Sequence, residues 1–181
     1  MSLQPAVFLD RDGVLNRVSI RDGLPLGPMT LADFVLFDGV AEDIRRLKAA
    51  GYKVVVATNQ PEIARGRLAP AALEAMHARL SAEVPVDAIY VCPHSDEDRC
   101  GCRKPKPGLL LSAARDLAID LSRSVMVGDR WRDIEAGTAA GCRTVLVDYG
   151  YREEHKTAPD DVVASLAEAV RRILGARSEQ R

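Results

Sequence analysis

The chain has few aromatic residues, no excess of charge of either sign and no long hydrophobic run, and each absence excludes a class of protein. No stretch approaches the ~20 apolar residues that a membrane-spanning helix requires. Lysine and arginine total 25 against 26 aspartates and glutamates, so the formal net charge is −1. A near-neutral chain with 4% aromatic residues lacks the basic, aromatic-rich surface of a nucleic-acid-binding protein. Residues 1–5 lack the basic-then-apolar form of a signal peptide, so we expect a cytoplasmic location.

Cysteine is also scarce, but its distribution is informative. Cys92, Cys100 and Cys102 lie close together in the sequence, with His94 among them. In a reducing compartment such clustering indicates a metal site more than disulfides. Three thiolates and an imidazole match the closed tetrahedral site of a structural Zn²⁺ ion, which would restrain a long loop without taking part in catalysis. A loop with metal-free thiols is the alternative. The fourth cysteine, Cys142, is predicted to be a small buried hydrophobe.

Apolar runs of strand type alternate with helical patterns, which is typical of a parallel sheet covered on both faces. The predicted strands are Ala6–Asp10, Lys53–Thr58, Ala88–Cys92, Ser124–Gly128 and Arg143–Val147. The predicted helices are one that includes Val40, Ile44 and Leu47, followed by helices at 71–80, 108–118, 131–140 and 160–174. We therefore expect an α/β fold, with a three-layer, Rossmann-like parallel sheet of about five main strands and helices on both faces.

The length of the chain fits one domain. We assign this domain to residues 1–175 and expect a frayed tail over residues 176–181. The long connections 17–37 and 93–107 would lie at the carboxyl edge of the sheet, where loops usually carry function. His77 lies in an alanine-rich predicted helix, where we expect a surface or packing role.

Two aspartates one residue apart follow the first predicted strand. Asp10 and Asp12 stand at the carboxyl end of a buried strand, and Gly13 lets the backbone turn sharply after them. Like charges this close repel unless a cation or a shared proton compensates. A divalent metal would compensate, and a carboxylate beside a metal can attack phosphorus as a nucleophile. A pair of solvated turn aspartates is the alternative for this motif taken alone.

Three later segments would bring further polar groups to the same edge. The second strand ends in Thr58-Asn59, where a hydroxyl and the following amides suit an anion. After the third strand, a proline-rich segment holds Lys104 near the start of a helix, a setting that suits a phosphate. The fourth strand ends in Gly128-Asp129, with Asp133 one helical turn later in either a structural or a ligating role. Agreement among the four segments favours a phosphate site with a metal over unrelated turns.

This set of motifs resembles the haloacid dehalogenase superfamily of phosphotransferases. The motifs occur in order over nearly the whole chain: Asp10-x-Asp12-Gly13-Val14, Thr58-Asn59, Lys104 and Gly128-Asp129-x-x-x-Asp133. The resemblance implies that Asp10 is a nucleophile that forms an aspartyl-phosphate, and that Asp12 protonates the leaving oxygen and then activates water. It also implies a Mg²⁺ ion held by the Asp10 carboxylate, the Asp12 main-chain carbonyl and Asp129. Thr58, Asn59 and Lys104 would bind the phosphoryl group.

The cysteine-rich loop narrows the resemblance to one branch. Cys92-Pro93-His94 followed by Cys100-Gly101-Cys102-Arg103-Lys104-Pro105 is similar to the D-glycero-D-manno-heptose 1,7-bisphosphate phosphatases and the histidinol-phosphate phosphatases, which lack a large cap domain. The run Thr58–Gly66 resembles the heptose branch, except that Pro61-Glu62 replaces Ser-Gly. In that branch the residue matching Arg103 contacts the substrate's second phosphate. The resemblance implies a capless, Mg²⁺-dependent phosphatase, with heptose 1,7-bisphosphate as the first candidate substrate.

Other functions stay open on the sequence alone. Histidinol phosphate or another small phosphosugar would suit the same motifs, and a zinc-loop binding module on an inactive scaffold is the non-enzymatic alternative. Without a cap, the substrate would be recognised by loops, including residues 16–29 and 60–67. We expect a small phosphorylated metabolite as partner, no nucleic acid or membrane, and a monomer, because the sequence shows no exposed apolar stripe.

Overall fold

A computed structural model describes residues 3–154 and 156–178 and contains the parallel sheet that the sequence predicts. The strands are β1 (Ala6–Leu9), β2 (Ser19–Arg21), β3 (Leu24–Leu26), β4 (Lys53–Asn59), β5 (Ala88–Cys92), β6 (Val125–Gly128), β7 (Arg143–Val147) and β8 (Asp161–Val163). Six of them form one parallel sheet in the order β5-β4-β1-β6-β7-β8. β1 lies inside this sheet, because Phe8 pairs with Val55 on one side and with Met126 on the other.

Within the described residues, five α-helices cover the two faces of the sheet, so the predicted three-layer α/β fold is confirmed. They are α1 (Val40–Ala49), α2 (Pro70–Glu83), α3 (Gly108–Leu117), α4 (Trp131–Ala140) and α5 (Leu166–Ser178). Side-chain alternation along β1 separates two cores. Val7 and Leu9 pack in the core with α1, α2 and α5, whereas Ala6 and Phe8 pack in the core with α3. Gly137 brings α4 onto this second face, since a Cβ there would lie 2.7 Å from the Met126 Cβ.

The connection between β1 and α1, predicted as an irregular loop, contains a small antiparallel hairpin formed by β2 and β3. Its turn residues Asp22 and Gly23 have positive φ angles of 54° and 80°. Asp-Gly is a favoured pair for two-residue hairpin turns, because both positions tolerate the left-handed region. Among the described residues this hairpin is the one regular element inserted at the carboxyl edge, as expected of a fold without a large cap.

The predicted helix over 160–174 is wrong in its first turns. The Thr144 amide and hydroxyl donate to the Asp160 carboxylate at 2.7 and 3.0 Å, so the chain here runs along β7 and adds β8 as a sixth strand. Helix α5 begins only at Leu166. The Ser165 hydroxyl accepts a hydrogen bond from the Glu168 amide, and the Glu168 carboxylate accepts one from the Ala164 amide. This reciprocal capping explains why the helix starts there.

The carboxyl-terminal segment continues α5 as far as Ser178. The predicted frayed tail therefore begins inside this helix, and residues 179–181 lie outside the described residues. Within the described part of the chain, every helix is too short or too polar to traverse a lipid bilayer.

Candidate active site

Three adjacent strands deliver polar side chains to one edge of the sheet. Thr58 and Asn59 end β4, Asp10 follows β1, and Asp129 follows β6, in the spatial order β4-β1-β6. One carboxylate oxygen from each of Asp10, Asp129 and Asp133 lies within 4.8 Å of the others. The acids from the first and fourth predicted strands therefore face a common point that has room for one cation.

Lys104 closes this cluster from the loop that follows β5. Its ammonium lies 3.0 Å from Asp10 Oδ1 and donates hydrogen bonds of 2.6 Å to Asp133 Oδ1 and to the Ala57 carbonyl. The side chain is 2% exposed. Burial disfavours the charged form, but Asp10 and Asp133 outweigh it and raise the pKa of Lys104 above its usual value. The ammonium is thus permanently charged and fixed beside the Asp10 carboxylate.

The Asp10 carboxyl group is buried close to other acidic groups. Burial raises its pKa to about 7; Lys104 opposes this shift, whereas Asp133 and Asp12 add to it. The Arg11 backbone amide also donates to Asp10 Oδ1 at 2.8 Å. Three carboxylates around one ammonium leave this cluster short of positive charge, which a divalent cation would supply.

Asp129 is the acid with unused coordinating capacity. It is 3% exposed, and neither carboxylate oxygen accepts a hydrogen bond of ordinary geometry from the described residues, although the Tyr151 hydroxyl approaches closely enough to lower its pKa. Burial and then the charge of Asp10 nevertheless raise the pKa of Asp129 well above its usual value. Gly13 is required beside it, because a Cβ at Gly13 would lie 2.0 Å from Asp129 Oδ2. Buried oxygen donors of this kind fit Mg²⁺.

Asp133 is less available to a metal than Asp129. Its Oδ1 atom binds Lys104, and its Oδ2 atom accepts a hydrogen bond of 3.1 Å from the Arg130 amide at the start of α4. Of the two roles left open by the sequence, this geometry favours the structural one, in which Asp133 fixes the lysine and the first turn of the helix.

The Asp12 carboxylate lies outside the three-acid cluster and is held by a separate set of donors. Arg11 donates to it from Nε and Nη2 at 3.0 and 2.9 Å, and Asn16 and Gln60 each donate at 2.9 Å. The Gln60 amide also donates to the Thr58 hydroxyl oxygen at 3.0 Å. Because that oxygen is already an acceptor, the Thr58 proton is left to donate to another group. Asp12 keeps 18% exposure and lines the cavity described below.

The Asn59 side chain faces Lys104. Its amide donates to the Lys104 carbonyl at 2.9 Å, and its oxygen accepts from the Lys104 amide at 3.1 Å. This two-way pair fastens the lysine-bearing loop to the end of β4. This positioning role was not indicated by the sequence, and the phosphate contact of Asn59 stays a prediction.

A cavity of about 340 Å³ opens from Asp10 and Lys104 toward a group of arginines. Arg103 and Arg132 both donate to the Asp96 carboxylate, at 2.9 and 3.0 Å. The Arg132 guanidinium also lies 4.7 Å from the centre of the Trp131 ring. The hairpin strand β3 and the residues that follow it line the opposite wall. The cavity lining therefore carries two groups of cations, Lys104 beside Asp10 (the proximal end) and Arg103 with Arg132 beside Asp96 (the distal end).

The four predicted zinc ligands come together in the loop after β5. The Cys102 sulfur lies 3.2 Å from that of Cys92 and 3.5 Å from that of Cys100, and the latter two are 3.6 Å apart. His94 Nδ1 lies 3.4 Å from the Cys102 sulfur. Zn–S bonds of ~2.3 Å would place sulfurs ~3.8 Å apart in a tetrahedron, close to these separations. The cluster is compatible with zinc.

Several residues of the site were not singled out by the sequence reasoning. Strand alternation would place the Arg11 side chain on the face opposite Asp10 and Asp12, so the sequence pattern gives no reason to assign it to the site. Arg132 lies in the first turn of α4 and Asp96 in the loop after β5, and no local signal pairs them. Gln60 lies in the predicted substrate-recognition loop 60–67, but the sequence did not indicate its contact with Asp12.

Comparisons with known proteins agree with this geometry. A HAD-hydrolase-like family model matches residues 101–169. The chain is 45% identical to D-glycero-beta-D-manno-heptose-1,7-bisphosphate 7-phosphatase of Pseudomonas aeruginosa, over 80% of this chain and 81% of that protein. It is 40% identical to the protein of the same name in Escherichia coli, over 91% of each chain. The crystal structure of D,D-heptose 1,7-bisphosphate phosphatase from B. bronchiseptica, complexed with magnesium and phosphate, matches with a TM-score of 0.77 and 34% identity, covering 97% of this chain and 99% of that one.

Fold and site together define a phosphatase of the haloacid dehalogenase class, built on an open α/β sheet. Within that class, the chain belongs to the family of the heptose-1,7-bisphosphate phosphatases. The resemblance inferred from the motifs is confirmed. The non-enzymatic alternative is not favoured, because the nucleophile, acid and cation positions of the motif are all occupied by suitable residues.

Proposed function

We propose that the protein removes the 7-phosphate of D-glycero-D-manno-heptose 1,7-bisphosphate. The observation that supports this proposal is one cavity with two groups of cationic side chains, Lys104 beside Asp10 and Arg103 with Arg132 beside Asp96. A substrate with two phosphates uses both ends. Histidinol phosphate carries one phosphate and a cationic amine, which the arginines would repel.

Asp10 is the proposed nucleophile. Its carboxylate attacks phosphorus, the bond from phosphorus to the sugar oxygen breaks, and Asp12 gives its proton to that oxygen. Asp12, now ionised, takes a proton from a water molecule that attacks the aspartyl-phosphate, which releases phosphate and restores Asp10. Lys104 and the Thr58 hydroxyl bind the phosphoryl oxygens. A Mg²⁺ ion held by Asp10, Asp129 and the Asp12 carbonyl would offset the charge of these oxygens.

Arg103 and Arg132 are the proposed ligands of the second phosphate. Guanidinium groups bind phosphate through paired N–H donors, and here both already bind the Asp96 carboxylate in this way. Asp96 is 56% exposed, so the carboxylate can move aside when a phosphate dianion arrives. Arg65, which also lines the cavity, pairs with Glu62 at 2.6 Å, so this chain's departure from the family motif neutralises one cation.

Zinc is the proposed occupant of the Cys92, His94, Cys100 and Cys102 cluster. All four positions are filled by protein ligands, so the ion's role is to restrain the loop. Arg103 and Lys104 follow Cys102 directly, and the restrained loop therefore delivers both cations to the cavity.

The direct test is phosphate release with Mg²⁺ from heptose 1,7-bisphosphate, from histidinol phosphate and from a heptose monophosphate. We expect the highest kcat/KM for the bisphosphate and release of one phosphate per molecule. The Asp10→Asn variant should be inactive on all three. A higher kcat/KM for histidinol phosphate would overturn the substrate assignment and leave the phosphatase class intact.

A further inference from the structure

Arg11 lies between the two acids of the first motif, yet its side chain is turned into the protein. It is fully buried, and its guanidinium lies 5.5 Å from the centre of the Phe34 ring. The Nε and Nη2 atoms donate hydrogen bonds to the Asp12 carboxylate, as described above. The remaining nitrogen, Nη1, lies 3.0 Å from Nε2 of His77 in helix α2. A histidine from a distant helix therefore contacts the guanidinium that orients Asp12.

The chemistry of this contact fixes the state of the histidine. A guanidinium has only donors, so His77 Nε2 is the acceptor and the ring proton resides on Nδ1. The imidazole is consequently neutral. Its surroundings agree, because burial and then the charge of Arg11 lower the pKa of His77 to about 4. Neutral His77 thus supplies an acceptor to the Nη1 atom of a buried cation that has Asp12 as its anionic partner.

We propose that His77 is a positioning residue for Asp12, acting through Arg11. A planar guanidinium held on both sides can turn little, so the contact to His77 fixes the plane in which Arg11 presents its two donors to Asp12. Without that acceptor, Nη1 is a buried unsatisfied donor and the guanidinium is free to rotate toward another partner. Asp12 would then be held firmly only by Asn16 and Gln60 and would lose part of the orientation from which it passes a proton to the leaving oxygen.

This inference rests on the proposed function, in which Asp12 is the general acid, and predicts a dependence on the leaving group. Leaving-group departure contributes to kcat/KM. A sugar alkoxide needs a proton to leave, whereas p-nitrophenolate leaves without one. Loss of the His77 contact should lower kcat/KM for heptose bisphosphate about tenfold and for p-nitrophenyl phosphate less than about twofold. A role in packing alone would lower both by the same factor.

The matched pair of variants is His77→Gln and His77→Asn. Both are neutral amides, but the glutamine oxygen reaches about as far as Nε2, whereas the asparagine oxygen stops near the position of Nδ1. We expect His77→Gln to keep both activities within about twofold, and His77→Asn to show the selective loss. Glu74→Gln, at an exposed position of the same helix, is the control for general effects on α2.

The outcomes separate the two proposals. Asp12→Asn should show a larger loss with the same preference for the aryl substrate, and if it does not, the role of Asp12 itself is wrong. If Asp12→Asn shows this preference but His77→Asn matches the wild type, or loses both activities equally, the positioning role of His77 is overturned. Melting temperatures of all variants, measured in the same buffer, identify any equal loss that comes from unfolding.

Discussion

The loop that follows β5 joins two clusters of ligand-type side chains that differ in chemistry. At one end, three sulfurs and an imidazole nitrogen contact each other at 3.2–3.6 Å and leave no position for a substrate. At the other end, Lys104 contacts the carboxylates of Asp10 and Asp133, which cluster with that of Asp129, and this cluster opens onto the cavity. Under the assignments proposed above, soft ligands would close a structural metal site and hard oxygen ligands would leave a cation site open to substrate.

The largest effect is expected when the acidic cluster loses its nucleophile. Asp10→Asn should lower kcat by at least about 10³-fold, because an amide cannot form the aspartyl-phosphate. Phosphate release measures the loss. Zinc content per chain, measured in the same preparation, should stay equal to that of the wild type. A variant that lost its zinc as well would show that the two clusters are not separable.

Removing one thiolate tests the other side of the comparison. Cys102→Ser should release the metal and lower the melting temperature by about 5–15 °C, because the loop then loses its restraint. Activity should fall as well, since Lys104 depends on that loop for its position. Cys142→Ser is the matched control, because Cys142 is a buried cysteine that contacts the hydrophobic core outside the cluster. Equal zinc content in the two variants would contradict a metal role for Cys102.

A smaller effect is expected at the distal end of the cavity. Arg132→Met should raise KM for heptose bisphosphate about tenfold, the loss of roughly one charge-assisted contact, with kcat and monophosphate turnover little changed. Arg115→Met, at an exposed arginine on α3 that pairs with Asp116, serves as the control. An equal rise in KM for both substrates would show that Arg132 acts on the reacting phosphate instead of the second one.

The strand ends at the acidic cluster and the cysteine cluster could both be predicted from the sequence. Asp10 and Asp129 follow apolar strands and Thr58 lies near the end of one, and parallel topology brings such strand ends to one edge, so the convergence is a consequence of the fold class. The cysteine cluster was predictable because its members are close in sequence. In both cases a regular rule converts sequence spacing into spatial proximity.

No such rule covers the contacts between side chains from separate elements. His77 and Arg11 are 66 positions apart in the sequence, and no local pattern near either residue predicts their contact. The start of α5 is different: the serine and glutamate at positions 165 and 168 form a capping signal that a helical pattern of apolar residues obscured, since Val163 faces the same core from a strand. The Asp22-Gly23 pair is likewise a sequence signal for a hairpin turn, but it lies inside a polar connection.

The smallest expected effect is a change in the melting temperature of the protein when the Asp129 carboxylate is removed in the absence of Mg²⁺. The pKa of Asp129 is higher in the folded protein than in the unfolded chain. At pH values between these two pKa values, the native protein therefore binds more protons than the unfolded chain. Stability therefore falls as pH rises through that window, and Asp129→Asn should remove this penalty. The measurement uses Mg²⁺-free buffer with no added chelator, because a chelator would also remove metal from the thiolate cluster. We expect the variant to melt about 2–6 °C above the wild type at pH 8 and at the same temperature as the wild type at pH 4. Saturating Mg²⁺ at pH 8 should narrow the gap by stabilising only the wild type. A gap that is independent of pH and Mg²⁺ would mean that the carboxylate is satisfied without a cation, and would remove the distinction between an open acidic site and a closed thiolate site.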